Sequence, residues 1–135
     1  MYKTILVPVA LDHRPNTATA LEVARLLKDE GGQIIAVHAI EPIPGYVAHY
    51  IPDEQIKAGH EAARAALLAE LGGVKDVKAE LINGSAGRAV TDYADEHGVD
   101  CIVIASHQPG LQDYFLGSTA ARVVRHAKCA VHVVR

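Results

Sequence analysis

The stretch Gln33-Ile34-Ile35-Ala36-Val37-His38-Ala39-Ile40 decides the fold class. It has strand length, and apart from Gln33 and His38 every side chain is apolar. A strand with one solvated face alternates polar and apolar residues. A strand covered on both faces does not, and cover on both faces is the mark of a parallel sheet between helices. Thr4–Val9, Cys101–Ala105 and Ala130–Val134 read the same way. Val77–Ile82 differs: Val77-Lys78-Ala79-Glu80-Leu81 alternates, which predicts an edge strand with one wet face.

Segments of helical period separate these runs. Ala20, Val23, Ala24 and Leu27 form one apolar stripe, and Gly31-Gly32 is the expected stop. Ile56, Ala63, Leu67 and Leu71 mark a second helix ended by Gly72-Gly73. Ala89, Val90, Tyr93 and Ala94 mark a third ended by Gly98, and Ala120, Val123, Val124 and Ala127 a fourth, with Gly117 or Ser118 suited to cap it. The order β-α-β-α-β-α-β-α-β predicts an α/β fold, an open and mostly parallel sheet with right-handed crossovers. The least patterned stretch is Glu41 to Pro52, read as a surface connection, with a lid or an interface as the alternatives.

The 135 residues predict a single domain over 1–135. Half of them are hydrophobic and 21% are charged, so a packed core is expected. A net charge of −3 argues against a nucleic-acid coat. No apolar run approaches the length of a membrane span. The apolar stretch Ile5–Val9 is too short for a signal-peptide core, and Cys101 and Cys129 lack metal-site or redox spacing, so cytoplasmic localisation is expected. From Gly117 to Arg135 the sequence holds four basic residues (Arg122, Arg125, Lys128 and Arg135) and no acidic one. That end is either a solvated helix face or a mildly positive surface for an anion.

Ligands of open α/β sheets bind beyond the carboxyl ends of the strands, where strand order reverses. Two loops are candidates: Pro8-Val9-Ala10-Leu11-Asp12-His13 after the first strand, and the segment from Ala105-Ser106-His107-Gln108-Pro109-Gly110 to Gly117-Ser118-Thr119 after the fourth. Gly-Ser-Thr before a helix supplies a close backbone approach, unpaired N–H groups and two hydroxyls, which suits a phosphate. It is also an ordinary helix cap. G-x-x-x-x-G-K-[ST] and G-x-G-x-x-G are absent, which excludes a P-loop and a dinucleotide fingerprint. With no Trp, one Phe and five Tyr, a stacked flavin is a poor reading.

The whole chain resembles the universal stress proteins. Lys3-Thr4-Ile5-Leu6-Val7-Pro8-Val9 is similar to the family's first strand and Val37-His38-Ala39-Ile40 to its second. Gly84 before the third helix and Asp100-Cys101-Ile102-Val103-Ile104 fit its middle. Leu116-Gly117-Ser118, Val123-Val124-Arg125-His126-Ala127, Cys129 and Val131-His132-Val133-Val134-Arg135 fit its end. Ser106-His107 with Pro109 resembles the small F-type and G-type members. The resemblance implies a Rossmann-like five-stranded sheet in the order 3-2-1-4-5. It implies an adenine nucleotide (ATP, ADP or AMP) bound through G-x2-G-x9-G-[ST], and a stress-response regulatory or signalling role.

Position by position, Ala105 and Gln108 stand at the first two glycines, Gly117-Ser118 is intact, and eight residues rather than nine lie between Gln108 and Gly117. The family's acid after the first strand is replaced by Ala10, with Asp12 two residues on. Carried over, Pro8 and Val9 border the adenine and Val37 offers backbone hydrogen bonds. Asp12 takes a ribose hydroxyl or a metal-bound water, unless it is only a turn acid. Ala105, Ser106, His107 and Gln108 line the ribose and α-phosphate. Gly110 lets the loop close, and Gly117, Ser118 and Thr119 donate to the outer phosphates. Mg2+ or Mn2+ would be held by phosphate oxygens and water. No catalytic residue is assigned; at most weak ATP hydrolysis is expected. His38 reads as a satisfied interior histidine, and both cysteines as structural. The last strand, Ala130–Arg135, is an apolar edge, and its expected cover is the same strand of a second copy, making a homodimer. The competing readings are a nucleotide-free dimeric interaction module and a slow ATP hydrolase.

Overall fold

The structure, a computed structural model, describes residues 1–11, 17–106 and 116–135. In chain order the elements are β1 (Tyr2–Pro8), α1 (Thr17–Leu27), β2 (Lys28–Ile40), α2 (Gly45–Ala48), α3 (Asp53–Glu70), β3 (Val77–Asn83), α4 (Ala86–Glu96), β4 (Cys101–Ala105), α5 (Ser118–His126) and β5 (Ala130–Val134). Among the described residues the strands form one sheet in the order β3-β2-β1-β4-β5, every neighbouring pair parallel.

Alternation along the inner strands divides the core into two layers. Ile5, Val7, Ile34, Ala36, Cys101 and Val103 point to one face, where Ala20, Leu21 and Ala24 of α1 cover them with Leu67 of α3. Leu6, Ile35, Val37, Ile102 and Ile104 point to the other, against Val90, Tyr93 and Ala94 of α4 and Ala120 and Val123 of α5. Cover on both sides is what the unbroken apolar runs require, and burying each such side chain contributes about 1.5–3 kcal/mol. β3 lies at the edge, as the alternation predicted, but its burial does not alternate: Lys78 is exposed and Ala79 to Ile82 are all half-buried.

Three boundaries differ from the sequence reading. First, α1 ends at Leu27, and Gly31-Gly32 lies within β2 rather than stopping the helix. The strand partner moves from Lys28 opposite Tyr2 to Gln33 opposite Thr4, so β2 bulges there. Gly31 adopts φ 80°, and a Cβ on Gly32 would lie 2.8 Å from the Lys3 carbonyl oxygen and 3.0 Å from that of Asp29. The glycine pair serves the bulge. Second, β1 spans Tyr2–Pro8, so Val9 falls just past it, although the Val9 N–H still donates to the Val37 carbonyl at 2.8 Å. Third, the stretch from Glu41 to Pro52 contains α2. It exposes Tyr46 and Tyr50.

β1 and β4 are fastened at their amino ends. The Asp100 carboxylate accepts the Lys3 N–H at 3.0 Å and the Thr4 N–H at 2.9 Å. The Asp100 N–H donates to the Thr4 carbonyl at 3.1 Å. The strands then pair at Ile5–Cys101 and Leu6–Ile102. Beyond that point Val7 and Pro8 stay in register with Ala36 and Val37 of β2, while Val103, Ile104 and Ala105 follow His132, Val133 and Val134 of β5. The two central strands therefore part at their carboxyl ends.

Candidate functional site

Strand order reverses at the place where β1 and β4 part. α1 leaves the carboxyl end of β1 toward β2, whereas α5 follows the carboxyl end of β4 toward β5, in the opposite direction along the sheet. Helices that leave in opposite directions open a crevice at such a point. One wall is the end of β1. Val9 is buried, Pro8 is half-buried and Ala10 is exposed. The Val9 peptide is held from both sides: its N–H donates to Val37, and its carbonyl accepts the His38 Nδ1–H at 2.8 Å. A carbonyl can only accept, so that bond places the His38 proton on Nδ1. The half-buried His38 is thus satisfied, as its position in an apolar strand predicted, and it fixes the direction of the Val9 carbonyl.

The opposite wall is Ala105, Ser106 and the start of α5. Gly117 is the N-cap residue, with no side-chain cap bond, and its carbonyl accepts the Ala121 N–H at 2.8 Å. The N–H groups of Ser118, Thr119 and Ala120 precede the first intrahelical bond and carry the positive end of the helix dipole. Ser118 is exposed, while Gly117 and Thr119 are half-buried. The Gly117 N–H donates to the Ser106 carbonyl at 3.2 Å, which ties the helix start to the end of β4.

Two residues do something the sequence did not reveal. The buried Ser106 hydroxyl donates to the Val134 carbonyl at 3.3 Å, and the Ser106 N–H donates to the same oxygen at 2.9 Å. Ser106 thus joins β4, β5 and α5 through its peptide and hydroxyl together. The Val37 carbonyl already accepts Val9, which leaves one lone pair for a ligand. Hydroxyl direction and carbonyl occupancy depend on tertiary placement, and no residue pattern announces them. Of the expected site residues, Pro8, Val9, Ala10 and Val37 gather on the β1 side, and Ala105, Ser106, Gly117, Ser118 and Thr119 on the β4 side. Asp12, His107, Gln108 and Gly110 lie outside the described residues.

Neither thiol is activated by its surroundings. Burial pushes the Cys101 thiol up to about 11, with Cys129 and Asp100 adding to the rise. Cys129 is raised as well, chiefly by burial. Raised thiols are poor nucleophiles. Among the described residues no group of three or more His, Cys, Asp or Glu could hold a metal ion.

Residues 1–135 match the model of the universal stress protein family. The chain belongs to that family. A universal stress protein of Thermus aquaticus, named for its place in the QAH/OAS sulfhydrylase 3′ region, is 34% identical over 140 residues, with 100% of each chain covered. Universal stress protein G of Escherichia coli O157:H7 is 28% identical over 142 residues, again with 100% of each covered. A universal stress protein solved in complex with cAMP is similar with a TM-score of 0.70 at 25% identity, covering 99% of this chain and 97% of that one. The shared fold, a parallel sheet in the order 3-2-1-4-5 between two helical layers, is that of these family members. No helix among the described residues is long and apolar enough to cross a membrane.

Proposed function

We propose that this universal stress protein binds an adenine nucleotide in the crevice between β1 and β4 and acts as a regulatory module in a stress response. The observation that carries this reading is the parting of β1 and β4 beside the free N-terminus of α5. The cAMP bound by a structural relative supports the ligand class. The base would lie against Pro8 and Val9, with the remaining lone pair of the Val37 carbonyl within its reach. Phosphates would meet the N–H groups that begin α5, where Gly117 leaves the approach unobstructed. A divalent cation would ride on phosphate oxygens and water.

In this reading the nucleotide acts as a ligand that stabilises one conformation, with at most weak hydrolysis. The exposed edge strand β5 is covered by the same strand of a second copy, giving a homodimer. Two free cysteines fit a reducing cytoplasm.

Thermal unfolding with and without Mg-ATP tests the binding. A ligand at ~100 times its Kd stabilises the folded state by about 2.7 kcal/mol, which raises Tm by roughly 10 °C for a domain of this size. Gly117→Val should abolish most of that rise at a modest cost to the helix cap. Gly117 has φ −56° and ψ 154°, which any residue adopts. A Cβ there would meet the Ser106 carbonyl oxygen at 3.4 Å, an ordinary contact. An unchanged Tm for the parent chain at millimolar Mg-ATP would refute the reading and leave the nucleotide-free interaction module.

A further inference from the structure

We propose that Gly87, in the first turn of α4, is a positioning residue that sets where the N-terminus of α5 sits. The inference rests on the nucleotide reading above and deepens it by naming what holds the phosphate end of the site in place.

Gly87 is buried in the first turn of α4, against α5. A Cβ at this position would lie 2.7 Å from Arg122 Cδ, 3.0 Å from Arg122 Cβ and 3.2 Å from Arg122 Cγ. The two outer atoms belong to a flexible chain and can turn away. The Arg122 Cβ cannot, because it is fixed to the α5 backbone. Carbon atoms rest about 3.5–4.0 Å apart, so the helices would have to separate by roughly 0.5 Å.

α4 is the less yielding partner. The Thr91 hydroxyl lies 3.2 Å from the Gly87 carbonyl and 3.0 Å from that of Arg88, and the Ala89 N–H donates to Ser85 at 2.8 Å. Val90, Tyr93 and Ala94 seat the same helix in the core. α5 is shorter, with Ala120 and Val123 as its buried residues. The displacement therefore falls on α5. Arg122 is one turn from Ser118, so the start of the helix moves with it. The Gly117 N–H bond to the Ser106 carbonyl is already 3.2 Å long, at the outer limit of good geometry. A shift of about 0.5 Å with a component along that bond would weaken or break it. The amides that face the phosphates would then be misplaced by a similar amount, while the adenine wall at Pro8, Val9 and Val37 would stay where it is.

The test measures ATP and adenosine affinity by calorimetry for four chains: parent, Gly87→Ala, Arg122→Gly and the double variant. Gly87 has no positive φ, so alanine suits its backbone and gains about 1 kcal/mol of helix propensity. The expected result is ATP binding weakened roughly fivefold by Gly87→Ala, adenosine within twofold of the parent, and no weakening when the same change is made in the Arg122→Gly background. Equal loss of ATP and adenosine, the same loss in both backgrounds, or no loss would each overturn the proposal. A parent chain that binds neither ligand would sink the nucleotide reading by itself. Hydrogen exchange at the Gly117 amide then decides the positioning role: faster in Gly87→Ala and restored in the double variant supports it, and an unchanged rate overturns it.

Discussion

Replacing Asp100 with alanine removes the fastening that holds the amino ends of the two central strands together. Its carboxylate accepts two backbone N–H groups, from Lys3 at 3.0 Å and Thr4 at 2.9 Å. A hydrogen bond to a charged group contributes about 1.5–3 kcal/mol. Lys3 is exposed, so its amide regains water when the carboxylate is lost, whereas Thr4 is half-buried and its amide does so less completely. The expected cost is about 2–3 kcal/mol in total, or a Tm lowered by roughly 10 °C. Urea titration is the assay. The midpoint should fall while the slope stays constant, because the surface exposed on unfolding is nearly the same. Asp100→Asn sharpens the test. Its amide oxygen can accept one N–H, but its NH2 group then faces the other, so it should recover at most half of the loss. A stability within about 0.5 kcal/mol of the parent for Asp100→Ala, or full recovery by Asn, would refute the reasoning.

Gly32→Ala should destabilise the chain by about 1–3 kcal/mol, read by the same titration, because its Cβ would sit 2.8 Å from the Lys3 carbonyl oxygen and 2.9 Å from Lys28 Cγ. Glu80 is held below its ordinary 4.5, first by the Tyr93 hydroxyl and then by Lys78. A depressed carboxylate stabilises the fold above its unfolded value and loses that contribution as pH falls through the folded one. Tyr93→Phe should therefore cost about 1 kcal/mol at pH 7 and flatten the decline of stability below pH 4.5; an identical pH profile would contradict the assignment. Alkylation of the native chain at pH 8 should modify Cys129 well before Cys101, which is 1% exposed and raised to about 11, and mass mapping of the labelled peptides checks the order.

The fold was legible wherever cover on both faces leaves an unbroken apolar run. Thr4–Val9, Gln33–Ile40 and Cys101–Ala105 became the inner strands, and the alternation from Val77 to Leu81 became an edge. The beginning of β2 was not legible. Lys28-Asp29-Glu30-Gly31-Gly32 carries no apolar pattern, and what makes it a strand is pairing with β1 across a bulge. Local signals there favoured a helix stop, and tertiary pairing overrode them. α2 escaped notice because four residues are too few for a period to show.

At the site, Gly117 at the head of α5 was readable, because a glycine and two hydroxyls before an apolar stripe are a helix start in any context. The role of Ser106 was not. Its hydroxyl turns to Val134, a strand-end carbonyl 28 residues away, and only the β4–β5 register brings the two together. Gly87 was invisible for the same reason: a glycine in a helical turn signals nothing until Arg122 is seen across it.

The most direct test of the account is calorimetric titration of Mg-ATP into the parent chain, stripped of ligand by unfolding and refolding, beside Gly117→Val. The account predicts saturable binding near one nucleotide per chain for the parent, weakened roughly tenfold or more in the variant as the side chain blocks approach to the α5 amides. No saturable heat in the parent, or equal affinity in the two chains, would contradict the placement of a nucleotide between β1 and β4.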